Sequence, residues 1–205
     1  MRIIAIDRYR VTKRVLEDVS RTLRAGGVVA FPTETSYGLA ADPKNAKAVA
    51  RVYAVKGRPR GKPLPLVAAS RAAVNAAFRL EGKALAVARR HWPGPLTLVL
   101  AVRRGAGIVT AGRDGTCAVR VPSSVWARSV AAAAGGLATS TSANVSGEAA
   151  IYDARDVVRG FKDRSAAPDL VLDAGRLPKR TPSTIIRLKR GTIEVVRQGS
   201  IRVAQ

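Results

Sequence analysis

Three short polar stretches hold most of the residue types in this chain that could bind a small molecule. The first, Thr33-Glu34-Thr35-Ser36-Tyr37-Gly38, follows the apolar run Gly27-Val28-Val29-Ala30-Phe31 and Pro32. Hydroxyls, one carboxylate and one phenol suit a hydroxylated or zwitterionic ligand, and a strand end is a rigid place to carry them. The same composition also fits a wide hydroxyl-rich turn, with Glu34 paired to a nearby lysine. The second, Lys56-Gly57-Arg58-Pro59-Arg60-Gly61-Lys62-Pro63, offers four cations. Guanidinium forks and ammonium groups bind phosphate oxygens, although a charge cluster is also a common solvated surface. The third, Ser140-Thr141-Ser142-Ala143-Asn144-Val145-Ser146-Gly147, places Ser140, Ser142 and Asn144 at alternate positions. In extended backbone these three side chains share one side; a capped turn is the plainer alternative.

Other chemistry is excluded by count. One cysteine, Cys117, and one histidine, His91, cannot supply an intramolecular disulfide, a cysteine-based zinc cage or a paired-histidine site. No Gly-x-x-x-x-Gly-Lys-Ser/Thr and no Gly-x-Gly-x-x-Gly in a strand–turn–helix setting occurs, so a bound nucleotide is held by another device. With 36 Lys+Arg against 14 Asp+Glu the formal charge is +22. Such an excess favours polyanionic partners, nucleic acid or nucleotide triphosphate, unless it reflects a basic proteome or a thermophile's surface. The N-terminus becomes charged too early for a signal peptide, and no apolar run approaches membrane-spanning length. A soluble, cytoplasmic protein without a membrane partner is expected.

The elements that must position these stretches are legible as periodicities. An edge strand is expected at 2–6 and a helix at 12–25, with Val15, Leu16, Val19 and Leu23 on one face and Thr12 as cap. A strand at 28–31 leads into the first polar stretch. Asp42-Pro43 resembles a cap with proline at the first helical position, opening a helix to residue 55 with Ala46, Val49 and Tyr53 inward. Further strands are expected at 64–69, 96–102, 116–121, 137–139, 169–173, 184–188 and 193–197. Further helices are expected at 70–78, 83–90, 124–134 (capped by Ser123) and 153–160. The fold class is α/β: a single domain spanning 1–205, with a twisted mixed sheet flanked by helices. The three polar stretches are expected at the rim of that one sheet.

Six motifs in order carry a resemblance. They are Pro32-Thr33-Glu34-Thr35-x-Tyr37-Gly38, Lys56-Gly57-Arg58-Pro59, Trp92-Pro93-Gly94-Pro95-Leu96-Thr97, Val119-Arg120-Val121-Pro122, Ser140 through Gly147, and Arg197-Gln198-Gly199. Over about 12–199 the chain resembles the YrdC/Sua5 family of threonylcarbamoyl-AMP synthases, in its short single-domain form. The resemblance implies a concave basic cavity. It also implies condensation of L-threonine, bicarbonate and ATP to threonylcarbamoyl-AMP and pyrophosphate, for t6A modification of tRNA. Magnesium is expected with the ATP, and tRNA and t6A-transfer proteins as partners.

Carried over position by position, the resemblance implies L-threonine contacts from Thr35, Arg120, Ser140 and Ser183. It implies ATP contacts from Lys56, Arg58, Lys62, Thr116, Ser142, Asn144 and Arg197, with Lys56, Arg58 and Arg197 walling the cavity. Two positions depart from the longer enzymes: Val67 stands near a threonine-binding histidine, and Ala150 replaces a serine that helps hold ATP. Trp92-Pro93-Gly94-Pro95 supplies shape and no reactive group. Read from the residues alone, Arg120 could equally be a surface strand arginine. Two other functions compete: an RNA-binding module without catalysis, motivated by the charge, and a carbamoyl-transfer module like that of hydrogenase-maturation proteins. Scarce aromatics disfavour the first. The lack of an acylphosphatase-like or zinc-finger segment disfavours the second.

Overall fold

The computed structural model describes residues 1–203 except Arg60 and Arg190. Two mixed sheets, not one, organise the chain. The first contains β1 (Arg2–Ala5), β2 (Val29–Pro32), β3 (Tyr37–Ala40), β8 (Thr141–Ser142) and β9 (Leu170–Asp173), in the order β1-β9-β2-β3-β8. The second contains β4 (Leu66–Ala68), β5 (Leu96–Ala101), β6 (Thr116–Arg120), β7 (Leu137–Thr139), β10 (Thr184–Lys189) and β11 (Thr192–Arg197), in the order β11-β10-β5-β6-β4-β7. Among the described residues six helices cover them: α1 (Lys13–Arg24), α2 (Ala46–Lys56), α3 (Arg71–Ala77), α4 (Gly82–His91), α5 (Val125–Ala133) and α6 (Ala154–Phe161).

Strand β2 shows why the first sheet sits inside. Val29 and Phe31 pack in a cluster with α1 and α5, while Val28 and Ala30 pack in another with α2 and α6. Successive strand residues face opposite sides, and both sides are covered by helices, so the run is apolar throughout. The α1–α5 cluster also takes Val67 of β4 and Ala138 of β7, which joins the two sheets. The outer face of the second sheet packs Leu66, Leu98, Leu100 and Val119 against Val74 of α3 and Ala84 and Ala88 of α4.

Several boundaries differ from the periodicity reading, each for a local reason. Helix α2 is capped by Asn45, whose side chain accepts from the amides of Lys47 and Ala48. Asp42 instead accepts from Lys44, so Pro43 lies in a turn before the helix. The helix therefore turns Ala48, Val49, Val52 and Val55 inward; Ala46 is exposed and Tyr53 only half-buried. Ser124, not Ser123, caps α5 through the Ala127 amide, and Thr12 stands at the start of α1 without a side-chain cap bond. Strands β3 and β8 were hidden inside the polar stretches, where hydroxyls mask the apolar alternation.

The chain passes from one sheet to the other at Ser140. Thr139 ends β7, paired with Leu66 in the second sheet, and Thr141 begins β8, paired with Leu39 in the first. The polar stretches therefore gather where the sheets meet, over the face of the second sheet that carries Thr97, Ala118 and Arg120.

Gly199 packs against the backbone of residues 182–184. A Cβ there would lie 2.2 Å from the Pro182 carbonyl oxygen and 2.4 Å from the Thr184 amide nitrogen, and backbone cannot yield as a flexible side chain would. Gly199→Ala is expected to destabilise the protein by about 1–3 kcal/mol, the usual cost of overpacking. Thermal unfolding checks this; an unchanged midpoint would show that the 198–201 segment is not held against β10.

Candidate active site

The hydroxyls of the first stretch divide their labour. Thr33 is buried, and its Oγ1 accepts from the amides of Thr35 (3.0 Å) and Ser36 (3.2 Å) while donating to the Ser36 carbonyl at 2.7 Å. That hydroxyl builds the turn between β2 and β3, so the turn reading and the binding reading both describe the stretch. Tyr37 is also structural. Its hydroxyl donates to the Gly175 carbonyl at 2.8 Å and accepts from the Ala174 amide, and burial raises its pKa to about 12. What remains for a ligand is Thr35 with Ser36.

These two line a cleft of about 470 Å³ between the sheets, within the range of small-molecule sites. Across the second sheet its wall runs through Arg197, Ile185, Thr97, Ala118 and Arg120; Ser140, Thr141 and Ser142 complete it from the crossing segment. Of the residues expected to bind ligand, Thr35, Arg58, Arg120, Ser140, Ser142, Ser183 and Arg197 are brought together here.

The other four, Lys56, Lys62, Thr116 and Asn144, do not line it. Lys62 is exposed, and its carbonyl accepts from the Tyr53 hydroxyl. The Thr116 hydroxyl is committed to Asp114 at 2.8 Å, at the end of β6 away from Arg120. Neither lines the cleft. Asn144 is buried and does not line the cleft: its Oδ1 accepts from Lys56, and its Nδ2 donates to the Val145 and Glu148 carbonyls. Arg60 lies outside the described residues.

Lys56 is the largest revision. It does not wall the cleft: its ammonium is buried and donates to the Ser142 carbonyl (2.8 Å) and Oγ (3.2 Å), and to the Asn144 carbonyl (3.1 Å) and Oδ1 (3.0 Å). Its own carbonyl accepts from the Ser146 amide. Gly57 lets the chain turn there, capping α2 in the left-handed region at φ 58°. Burial, reinforced by the charge of Arg58, lowers the Lys56 pKa to about 8.

The arginines are differently held. Arg197 donates from Nη2 to the Ser183 carbonyl (2.7 Å) and Oγ (3.0 Å), and Ser183 in turn shares a hydrogen bond with Thr97 at 2.9 Å. Burial first, then the charge of Arg120, lowers the Arg197 pKa. Arg58 donates to the Pro63 carbonyl at 3.2 Å, while its buried Nε has no partner. Arg120 is buried rather than a surface arginine, and it pairs with Glu34, so the partner of that carboxylate is an arginine and not a lysine.

Residues not singled out from sequence also line the cleft: Tyr152, Pro182 and Arg180. Arg180 was findable, because Pro178-Lys179-Arg180-Thr181-Pro182 repeats the proline-flanked cationic pattern of 56–63. Val67 sits in the apolar cluster between the sheets, and Ala150 lines the cleft.

Two mixed sheets around a cleft rich in arginine and hydroxyl groups define an α/β protein built to hold an anionic small molecule. The chain belongs to the Sua5/YciO/YrdC family, whose profile, described as "Telomere recombination", matches residues 21–199. A protein of Halorhodospira halophila named threonylcarbamoyl-AMP synthase is 43% identical over 167 residues, covering 80% of this chain and 85% of that one. One of Chromobacterium violaceum with the same name is 36% identical over 182 residues, covering 88% and 92%. The crystal structure of P. abyssi Sua5 complexed with L-threonine superposes with a TM-score of 0.87 at 32% identity. It covers 97% of this chain, which spans only 58% of that longer one.

If Lys56 is a clamp, its loss should act on the loop it ties. In Lys56→Met the buried oxygens of Ser142 and Asn144 lose their donor, at about 1–3 kcal/mol for each one left unpaired. Amide exchange over 142–147 is expected to quicken at least tenfold relative to helix α1. Equal exchange in both segments would assign Lys56 no clamping role.

Proposed function

We propose that this chain is an L-threonylcarbamoyl-AMP synthase, acting on L-threonine, bicarbonate and ATP. The observation that carries the reading is the meeting in one cleft of Thr35, Arg120, Ser140 and Ser183 with Arg58, Ser142 and Arg197. The first group suits an amino acid, the second polyphosphate. The names of the relatives support the same assignment.

The chemistry suits the residues available. Threonine's amine adds to bicarbonate with loss of water, giving a carbamate. A carbamate oxygen then attacks the α-phosphorus of ATP, and pyrophosphate leaves. Neither step needs an enzyme nucleophile, and among the described residues no cysteine or histidine lines the cleft. Cys117 faces Thr110 and the Leu64 carbonyl, and burial pushes its thiol up to about 11. Rate enhancement then comes from holding two substrates in register and from cations that offset charge on the phosphates. In this reading Arg120 receives the threonine carboxylate, while Arg58 and Arg197 face the phosphates. Lys56 acts one step back, holding Ser142 in the wall.

Magnesium fits as a passenger of the nucleotide. Among the described residues no group of three or more His, Cys, Asp or Glu side chains gathers to hold a cation, so its ligands would be phosphate oxygens and water, with hydroxyls of the wall such as that of Ser142 as neutral protein oxygens. Bound there it would draw charge from the phosphates. The product would pass to t6A-transfer proteins that modify tRNA, and the +22 charge suits a tRNA nearby.

Pyrophosphate release from ATP is expected only when threonine and bicarbonate are both present; release independent of threonine would sink this reading. The KM for ATP is expected to rise as pH passes about 8. Below that pH Lys56 is an ammonium ion with three protons for its four oxygens. Above it the charge and one donor are lost, and the Ser142 segment loosens. A flat KM for ATP between pH 7 and 9 would remove Lys56 from the account.

A further inference from the structure

Glu34 stands directly behind the cleft wall and pairs with Arg120; the two side chains are 8% and 10% exposed. Arg120 also donates from Nη2 to the Thr35 hydroxyl at 3.4 Å. Among the described residues three other arginines, Arg58, Arg180 and Arg197, line the same cleft, and no acidic residue lines it. The carboxylate behind Arg120 is therefore the nearest negative charge to a ligand held by Thr35 and Arg120. Its second oxygen, Oε2, is buried without a hydrogen-bond partner.

These facts bear on what Arg120 can receive. A free guanidinium close enough to Arg197 to depress its pKa would be an attractive seat for phosphate, since guanidinium forks match phosphate and carboxylate equally well. Geometry alone cannot separate the two anions. A carboxylate behind the guanidinium can. It brings the pair to zero net charge and repels a multiply charged phosphate more than a singly charged carboxylate. An amino acid also carries an ammonium group, whose positive charge the carboxylate behind the wall attracts, whereas phosphate carries none.

We propose that Glu34 is the specificity-determining residue of the amino-acid end: it orients Arg120 and makes that guanidinium accept the carboxylate of a zwitterion and refuse phosphate. The inference rests on the threonine-binding reading given above, and it adds a residue that sets which anion goes where. Glu34 acts through Arg120 as a positioning residue, and loss of its charge should produce a gain of binding that a merely structural lesion would not.

The test is calorimetric titration of the full chain, without ATP, using L-threonine and inorganic pyrophosphate as separate probes. Wild type is expected to bind threonine, and to bind pyrophosphate in a way that threonine does not displace. Glu34→Gln should bind threonine about tenfold more weakly, a loss of about 1.4 kcal/mol. It should also acquire a second pyrophosphate site from which threonine displaces the ligand. Glu34→Asp should retain the wild-type pattern. Weaker binding of both probes in Glu34→Gln, or no change in either, overturns the proposal. Should Glu34→Gln fail to fold, the wild type still decides, because displacement of threonine by pyrophosphate would show that Arg120 already takes phosphate. Absence of threonine binding in wild type would instead strike the functional reading on which the proposal rests.

Discussion

One ammonium group ties together the parts of this molecule that must stay in register. Lys56 ends helix α2, and its four acceptors belong to the segment that has just crossed from one sheet to the other. A buried charge is costly unless every neighbour answers it, and here carbonyls, a hydroxyl and an amide oxygen do. The consequence reaches beyond local stability. Ser142 lines the cleft only while its segment keeps this position, and the Lys56 carbonyl fixes the same loop again through Ser146. Helix, loop and wall thus form one unit, closed by a side chain that does not itself line the cleft.

The second organising feature is the separation of charges inside a strongly basic chain. Arg197 is pinned to Ser183, Arg58 leans on the Pro63 carbonyl, and Arg120 is held by Glu34. Each guanidinium is oriented before a ligand arrives, so less ordering is left to be done on binding. They differ in what balances them. Arg197 and Arg58 lean on neutral oxygens and keep their full charge, while Arg120 is offset by a carboxylate. A cleft with two such kinds of cation can hold polyphosphate beside a zwitterion without the two exchanging places.

The strand leading into Thr33 and most helices were legible in the sequence because their periodicity is local. The identities of Thr35, Arg120, Ser140, Ser183 and Arg197 as a set were legible only through motif order, since they come together from β3, β6, β8, β10 and β11 or their flanks. The two-sheet arrangement was not legible, because β3 is only four residues long and β8 is two hydroxyl residues. Their pairing depends on a crossing at Ser140 that no window of sequence reports. The clamp made by Lys56 was not legible: a lysine in a Lys-x-Arg pair reads as a phosphate ligand, and its acceptors lie 86 and 88 positions away. Helix α2 stops at the left-handed Gly57, and Asn45 caps its start in place of the expected Asp42-Pro43. The partner of Glu34 was hidden in the same way as those of Lys56, since it lies 86 positions away on β6.

A cleft that catalyses without a nucleophile depends on placement alone, and the topology meets that demand in a particular way. Thr139 pairs in one sheet and Thr141 in the other, so Ser140 between them is held from both sides. The hydroxyls of the wall sit on backbone that is fixed by two ladders and a buried ammonium. A ligand touching Ser140 and Ser142 is therefore positioned against Arg120 and Arg197 on the neighbouring sheet through a few residues of shared chain, with no hinge between the two groups. That is the geometry which a reaction between two bound substrates requires, and it explains why Thr141 and Ser142 form a strand at the wall while only the end of the serine-rich segment, at Ser146 and Gly147, is an exposed turn.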